Sequence, residues 1–213
     1  MTKKLLLSVA ALAVLSAPAM ADDLVITPYA GVDLGRSMYS YNENYDFEGD
    51  SLNGESLLND GLNNINLHVG TRIGKYFGAE VGYFRSSEGK KNIATGESVG
   101  DGLVASTDFS TKIKTHGFSL DGLGYIPLTD DARAELIGTA GVTWTKADVE
   151  MTVPGVGTAG DNQSELGFRV GGGAQYHLTN NISARGLVRY QTADFDDIAD
   201  RTWTYSLGVN YSF

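Results

Sequence analysis

Cysteine is absent from the 213 residues, which excludes a disulfide, a zinc–thiolate site and a thiol nucleophile. Positive charge is in short supply: 16 Lys and Arg stand against 26 Asp and Glu, for a net charge of −10. Phosphate contacts need Lys and Arg, so a nucleic-acid partner is not expected. No apolar run after Ala21 approaches the length of a transmembrane helix. Proline is scarce and glycine abundant, 4 against 27. The glycines are spread through alternating segments rather than gathered in a linker, which suits close-packed strands better than disorder.

The N-terminus carries an export signal. Lys3 and Lys4 form a positive region, Leu5 to Leu15 form a short apolar core, and Ala19-Met20-Ala21 fits the small-x-small cleavage rule. Residues 1–21 are therefore expected to be a cleaved signal peptide, with a mature domain over residues 22–213. Removing two lysines and no acid leaves that domain more negative than the −10 of the whole chain.

The other end alternates without a break. Trp203, Tyr205, Leu207, Val209, Tyr211 and Phe213 are bulky and apolar, and the residues between them are small or polar. A period of two means a strand with one oily face and one wet face. Tilted, a strand of this length is enough to cross a bilayer core. Seven further segments alternate similarly: Tyr29–Gly35, Asn66–Gly74, Ala79–Phe84, one within Lys112–Tyr125, Ala134–Thr145, Leu166–Tyr176 and Ile182–Gln191. Short connections fall around Lys75–Phe77, Pro127–Asp131 and Leu178–Asn181. Long ones are expected over Ser37–Asn64, Arg85–Thr111, Lys146–Glu165 and Ala193–Arg201. Short turns on one side and long loops on the other describe an up-and-down barrel.

Three stretches carry a family likeness: Pro28-Tyr-Ala-Gly-Val-Asp-Leu-Gly35, Lys75-Tyr-Phe-Gly-Ala-Glu-Val-Gly-Tyr83 and Tyr205-Ser-Leu-Gly-Val-Asn-Tyr-Ser-Phe213. Over residues 22–213 the chain resembles the small eight-stranded outer-membrane barrels, namely the OmpA transmembrane domain, the OmpX-like proteins and the opacity proteins. The resemblance implies an all-β fold, a closed antiparallel eight-stranded up-and-down transmembrane β-barrel. It implies the outer membrane of a Gram-negative bacterium, a monomer, and outer-membrane lipids and lipopolysaccharide as neighbours. It also implies that Phe213, with Tyr211, is a terminal signal read by the outer-membrane assembly machinery. The chain ends with the barrel, so the cell-wall anchoring of full-length OmpA is not expected.

Alternation assigns faces. With Ala30, Val32 and Leu34 outward, Asp33 points in; the same parity turns His68, Arg72, Glu80, Arg169, Arg185 and Arg189 inward. Asp121 and Glu135 read as inward on two less regular strands. Four acids, four arginines and a histidine thus share an interior just wide enough to be filled by side chains. Unpaired charges there are costly, so ion pairs are expected. A three-residue turn at Lys75–Phe77 would set Arg72 directly opposite Glu80. Such a cluster is either a solid polar core that fixes register or a conduit gated by its ion pairs.

Catalysis finds little support. Some outer-membrane barrels hydrolyse lipids with a Ser–His pair on the wall, but His116 and Ser119 are an odd number of positions apart and face opposite sides of a regular strand. No Gly-x-Ser-x-Gly elbow is present. Asp46, Glu48 and Asp50 alternate as calcium ligands do, yet Ser51 and Leu57 stand where an EF-hand needs Gly and Glu. No catalytic, cofactor-binding or metal-binding residue is assigned, and no cofactor is expected. The first loop carries Glu43, Asp46, Glu48, Asp50, Glu55 and Asp60 with four aromatics and no cation between Ser37 and Asn64. The expected function is a structural and surface-interaction role, adhesion-like, with an extracellular ligand held by the loops. Two rivals are a narrow pore for ions or small solutes through the charged lumen and a lipid-modifying barrel enzyme. A soluble lipocalin-like barrel is disfavoured, because its bulky apolar row would line a calyx rather than the outside.

Overall fold

The computed structural model describes residues 25–41, 45–47, 50–52, 61–99, 104–195 and 199–213. The signal segment and most of the first long loop, including the side chains of its acids, lie outside the described residues. Eleven strands are found among the described residues, and eight of them form the wall. These are β1 (Ile26–Tyr41), β4 (Gly61–Ile73), β5 (Phe77–Ser86), β7 (Phe109–Pro127), β8 (Ala134–Val153), β9 (Gly157–His177), β10 (Ile182–Phe195) and β11 (Ala199–Ser212). Two short strands, β2 (Tyr45–Phe47) and β3 (Asp50–Leu52), pair within the first loop, and β6 (Gly89–Ile93) adds to the free end of β7.

Each wall strand pairs antiparallel with its neighbour in sequence, β1 pairs with β11, and β5 pairs with β7. The ring of eight is therefore closed. Closure satisfies the ladder all round, so no wall edge is left over within the ring. Tracing partners from Ala174 through Gly186, Leu207, Leu34, Ile65, Arg85, His116 and Lys146 returns to β9 at Ser164, ten residues from the start. That stagger tilts the strands by roughly 40°.

The wall is inverted relative to a water-soluble barrel. Leu34, Val69, Phe168, Leu207 and Phe213 are exposed on the outside, while Asp33, Glu80, Glu135 and Arg185 are buried within. Trp203 and Phe213 bound the apolar row of β11. At roughly 3.3 Å per residue and this tilt, the row is about 25 Å tall, the height of the apolar band that transmembrane barrels carry. Tyr83 packs tilted against Phe118, and Phe118 stacks with Trp144, near its loop end. Tyr211 and Phe213 pack at its turn end.

Two of the expected long loops are largely wall. Between Lys146 and Glu165 the β8–β9 ladder continues row by row to Val153 opposite Gly157. Ala147, Val149, Met151 and Val153 alternate with polar residues there, so the strand pattern runs on past the oily band. On the outer face of β8 the residues change from Val142 and Trp144 to Lys146, Asp148 and Glu150. Strand β10 likewise reaches Phe195, and β11 begins at Ala199. The second loop is built as well: Ile93, Val99 and Ala105 are buried together against Phe109, and Ser98 bridges Val104.

The first tight turn starts one residue earlier than expected. Ile73 pairs with Phe77, leaving Gly74-Lys75-Tyr76 as the loop. Gly74 has φ +62°, a left-handed conformation that glycine takes at low cost, and this sets the turn on it. Arg72 therefore faces Gly78, and Glu80 faces Gly70, so the expected Arg72–Glu80 cross-strand pair does not form. The slip moves partners by two residues, which leaves every side chain on its own face.

Candidate functional site

The closed ring turns alternate residues of eight strands into one narrow lumen, and its polar side chains stack in layers. At the turn end, Arg72 grips Glu135 with two parallel hydrogen bonds, Nη1 to Oε2 at 2.8 Å and Nη2 to Oε1 at 2.6 Å. This fork geometry is the strong form of a carboxylate pair. Arg72 also donates to the Lys75 carbonyl and lies over the Tyr125 ring, 4.4 Å from its centroid. The ring nitrogen Nε2 of His177 sits 3.1 Å from the same carboxylate.

The middle layer centres on Arg185. Its Nε and Nη2 donate to Asp33 at 2.8 and 2.7 Å, and its Nη1 donates to Glu80 at 2.7 Å. All three side chains are 1 % exposed. Tyr29 adds a hydroxyl donor to Glu80, and Asn66 adds an amide donor to Asp33. His68 lies 3.2 Å from an Arg185 nitrogen and 2.7 Å from Asn210 Oδ1, which suits a neutral ring accepting on one side and donating on the other. Two acids thus share one guanidinium, and one strand residue has to be small to admit them: a Cβ at Gly208 would overlap the Asp33 carboxylate.

Beside this layer, Arg169 pairs with Asp121 through Nε and Nη2, and the same Nη2 donates to Ser119 at 2.8 Å. Arg189 is also buried, with its nearest acids, Asp33 and Glu80, at 3.6 and 3.7 Å. Above it hydroxyl and amide side chains pair across the lumen. Tyr39 meets Thr115 at 2.8 Å, Ser37 meets Thr204 at 2.8 Å, and Gln191 donates to Thr145 at 3.1 Å.

All nine residues of the proposed charge cluster project into this lumen, with Arg72 the most accessible of them. They divide into three ion-pair groups joined by different partners from those the register argument suggests. The lumen holds other residues that parity could have found: Tyr29 and Asn210 share the inward parity of Asp33 and Gly208. Leu123, Tyr125, Ile137 and Leu187 were not anticipated as an apolar patch within the barrel. On β7, His116 is half-buried on the outer side, 3.6 Å from Asp148, whereas Ser119 is buried inside. The two side chains are on opposite sides of the wall and do not form a catalytic pair.

Outside the lumen, Lys114 bonds Glu88 at 2.8 Å, and this ammonium holds the Glu88 carboxyl below the usual carboxylate range.

A family model for the outer membrane protein beta-barrel domain matches residues 7–213. No curated protein matches the chain. Several solved structures do. Neisserial surface protein A (NspA) is 17% identical, with a TM-score of 0.58 over 87% of this chain and 97% of that one. OprG from Pseudomonas aeruginosa is 14% identical, with a TM-score of 0.57 over 89% and 97%. Ail, the attachment invasion locus protein of Yersinia pestis, is 14% identical, with a TM-score of 0.51 over 90% and 100%. Ail has also been solved in complex with the heparin analogue sucrose octasulfate. At these identities the likeness is one of fold.

Proposed function

We infer a role for this chain from what it is: it belongs to the outer membrane protein beta-barrel domain family and resides in the outer membrane of a Gram-negative bacterium. The role is a structural and surface-interaction one, in which a plugged barrel holds an adhesion-like surface outside the cell. The observation that carries it is the height of the wall. Strands β7, β8 and β9 run 19, 20 and 21 residues, well beyond an apolar band that a strand of about ten residues spans. Their loop-end halves, with β6 on one edge, form a rigid polar ribbon rather than a slack loop. Binding to a rigid surface loses less conformational entropy than binding to a floppy one.

The ligand is an extracellular one held by this ribbon and the acidic first loop. That Ail takes a heparin analogue makes a sulfated glycan one probe. The first loop argues against a polyanion, because it adds only acids.

Replacing residues 147–163 with a tight turn tests the reading. Cells displaying the full barrel should gain adherence to immobilised extracellular-matrix protein, with heparin as the polyanion comparison, and the shortened barrel should lose it at equal surface abundance. Equal adherence of the two, or none by either, would sink the ribbon's role.

The rival is a narrow pore. Refolded barrel in a planar bilayer is expected to be silent, because the Arg185 layer fills the lumen. Steady channels that change with Glu80→Ala would transfer the function to the lumen. The lipid neighbours, a monomeric state and the cleaved signal over residues 1–21 belong to the same reading. So does the terminal aromatic signal. Phe213 is 73 % exposed, and its backbone N–H donates to Pro28 across the β1–β11 seam, so its ring is free to be read while its backbone closes the ring. Deleting Phe213 should cut the outer-membrane abundance several-fold while leaving refolding in detergent intact. Unchanged abundance in cells would remove the signal reading.

A further inference from the structure

At the loop end of the lumen, directly above the Arg185 layer, lies a partly enclosed cavity of ≈ 40 Å³. Among the residues that line it are Ser37, Asn64, Asn66, Arg169, Arg189 and Thr204. Arg189 is 5% exposed, and its Nε has no hydrogen-bond partner among the described residues. Its acids stand 3.6 and 3.7 Å off, beyond hydrogen-bond reach, and both already accept from Arg185. Leaving that Nε–H donor unmet in a buried site is costly. Arg169 faces the same space, and its hydrogen bonds among the described residues run from Nε and Nη2, to Asp121 and Ser119. Two cations therefore look onto one small volume that is otherwise lined by hydroxyl and amide groups and by the rings of Tyr39 and Phe84.

We propose that this cavity is a binding site for a single small monovalent inorganic anion of the chloride class, held by the Arg189 guanidinium. Three features define the ligand. Its charge is negative, because Arg189 hydrogen-bonds no acid among the described residues and a second guanidinium, that of Arg169, lines the same space. Its size is small: a water needs roughly 10–15 Å³ of such space, so the cavity admits one halide with a water or two and no sugar or lipid headgroup. It is accompanied by water, because Asn66 Oδ1 also lacks a partner while its amide nitrogen is committed to Asp33. An anion cannot donate to that oxygen, and a bound water can. The site is independent of the loops' role, since it belongs to the barrel wall itself.

Crystals of the refolded barrel soaked in sodium bromide test it, with data collected at the bromine absorption edge. The expected result is an anomalous peak inside the cavity in contact with Arg189 Nε. A cavity that holds water alone, with bromide absent or only on the outer surface, overturns the proposal. In solution, chloride-35 NMR should show excess line broadening that bromide competes away. Arg189→Gln should return the linewidth to that of protein-free detergent, whereas the exposed Lys90→Gln should not. Broadening that survives Arg189→Gln also overturns it. Should that variant fail to fold, the bromide experiment on the unaltered barrel decides.

Discussion

Replacing Arg185 with methionine is expected to lower the stability of the refolded barrel by about 3–5 kcal/mol, the cost of breaking a buried ion pair from one side. Among the described residues, Arg185 alone hydrogen-bonds both Asp33 and Glu80, and its loss leaves two buried carboxylates with only the more distant Arg189 between them. The quadruple variant Arg185→Met, Arg189→Met, Asp33→Asn, Glu80→Gln should recover most of the loss, since it also removes the Arg189 cation that the two neutralised acids would otherwise leave unpaired. Urea titration in lipid vesicles, followed by tryptophan fluorescence, measures both. A loss below about 1 kcal/mol in the single variant would mean that water already solvates these acids, as at a surface pair.

Leu207→Arg should cost about 2–4 kcal/mol in the same assay, the penalty for a cation on the lipid face near the bilayer midplane. Leu207 is 75% exposed near the middle of the apolar row of β11. Its chain neighbour Ser206 provides the control. Ser206 points inward and its hydroxyl has no hydrogen-bond partner among the described residues, so Ser206→Ala should lie within about 0.5 kcal/mol of the parent. Equal midpoints for Leu207→Arg and the parent would place that face in water and overturn the assignment of inside and outside.

Legibility in the sequence followed the contrast between the two faces. Strand β11 is bulky on one side and small or polar on the other, and its bounds were readable to within a few residues. Strand β7 is apolar on both, with Phe118 and Leu120 outside and Leu123 and Tyr125 inside, so its parity was blurred. The long hairpin above Trp144 was hidden for a different reason. Its outer face is charged because it meets water, and a charged stretch with glycines resembles a loop. The inward set could be found by parity, because parity needs only local information. Pairings within the set could not, because they depend on the stagger of the whole ring and on where each turn begins. One glycine in the left-handed region, Gly74, was enough to undo the expected Arg72–Glu80 partnership. The orphaned Arg189 is legible only once every other donor and acceptor has been matched.

The Asp33–Arg185 contact joins residues 152 positions apart, one from the first wall strand and one from the seventh. Before β1 meets β11, the same residues would line an open gutter whose concave face must stay wet while its convex face seeks lipid. A half-inserted gutter cannot desolvate Arg185, because Asp33 is on the far edge. Crossing the membrane and sealing the seam must therefore occur as one cooperative step, and the slow phase of folding should be the meeting of the chain's two ends. Variants at the seam should change the rate of insertion, whereas variants in the β8–β9 ribbon, whose rows are local, should leave it unaltered.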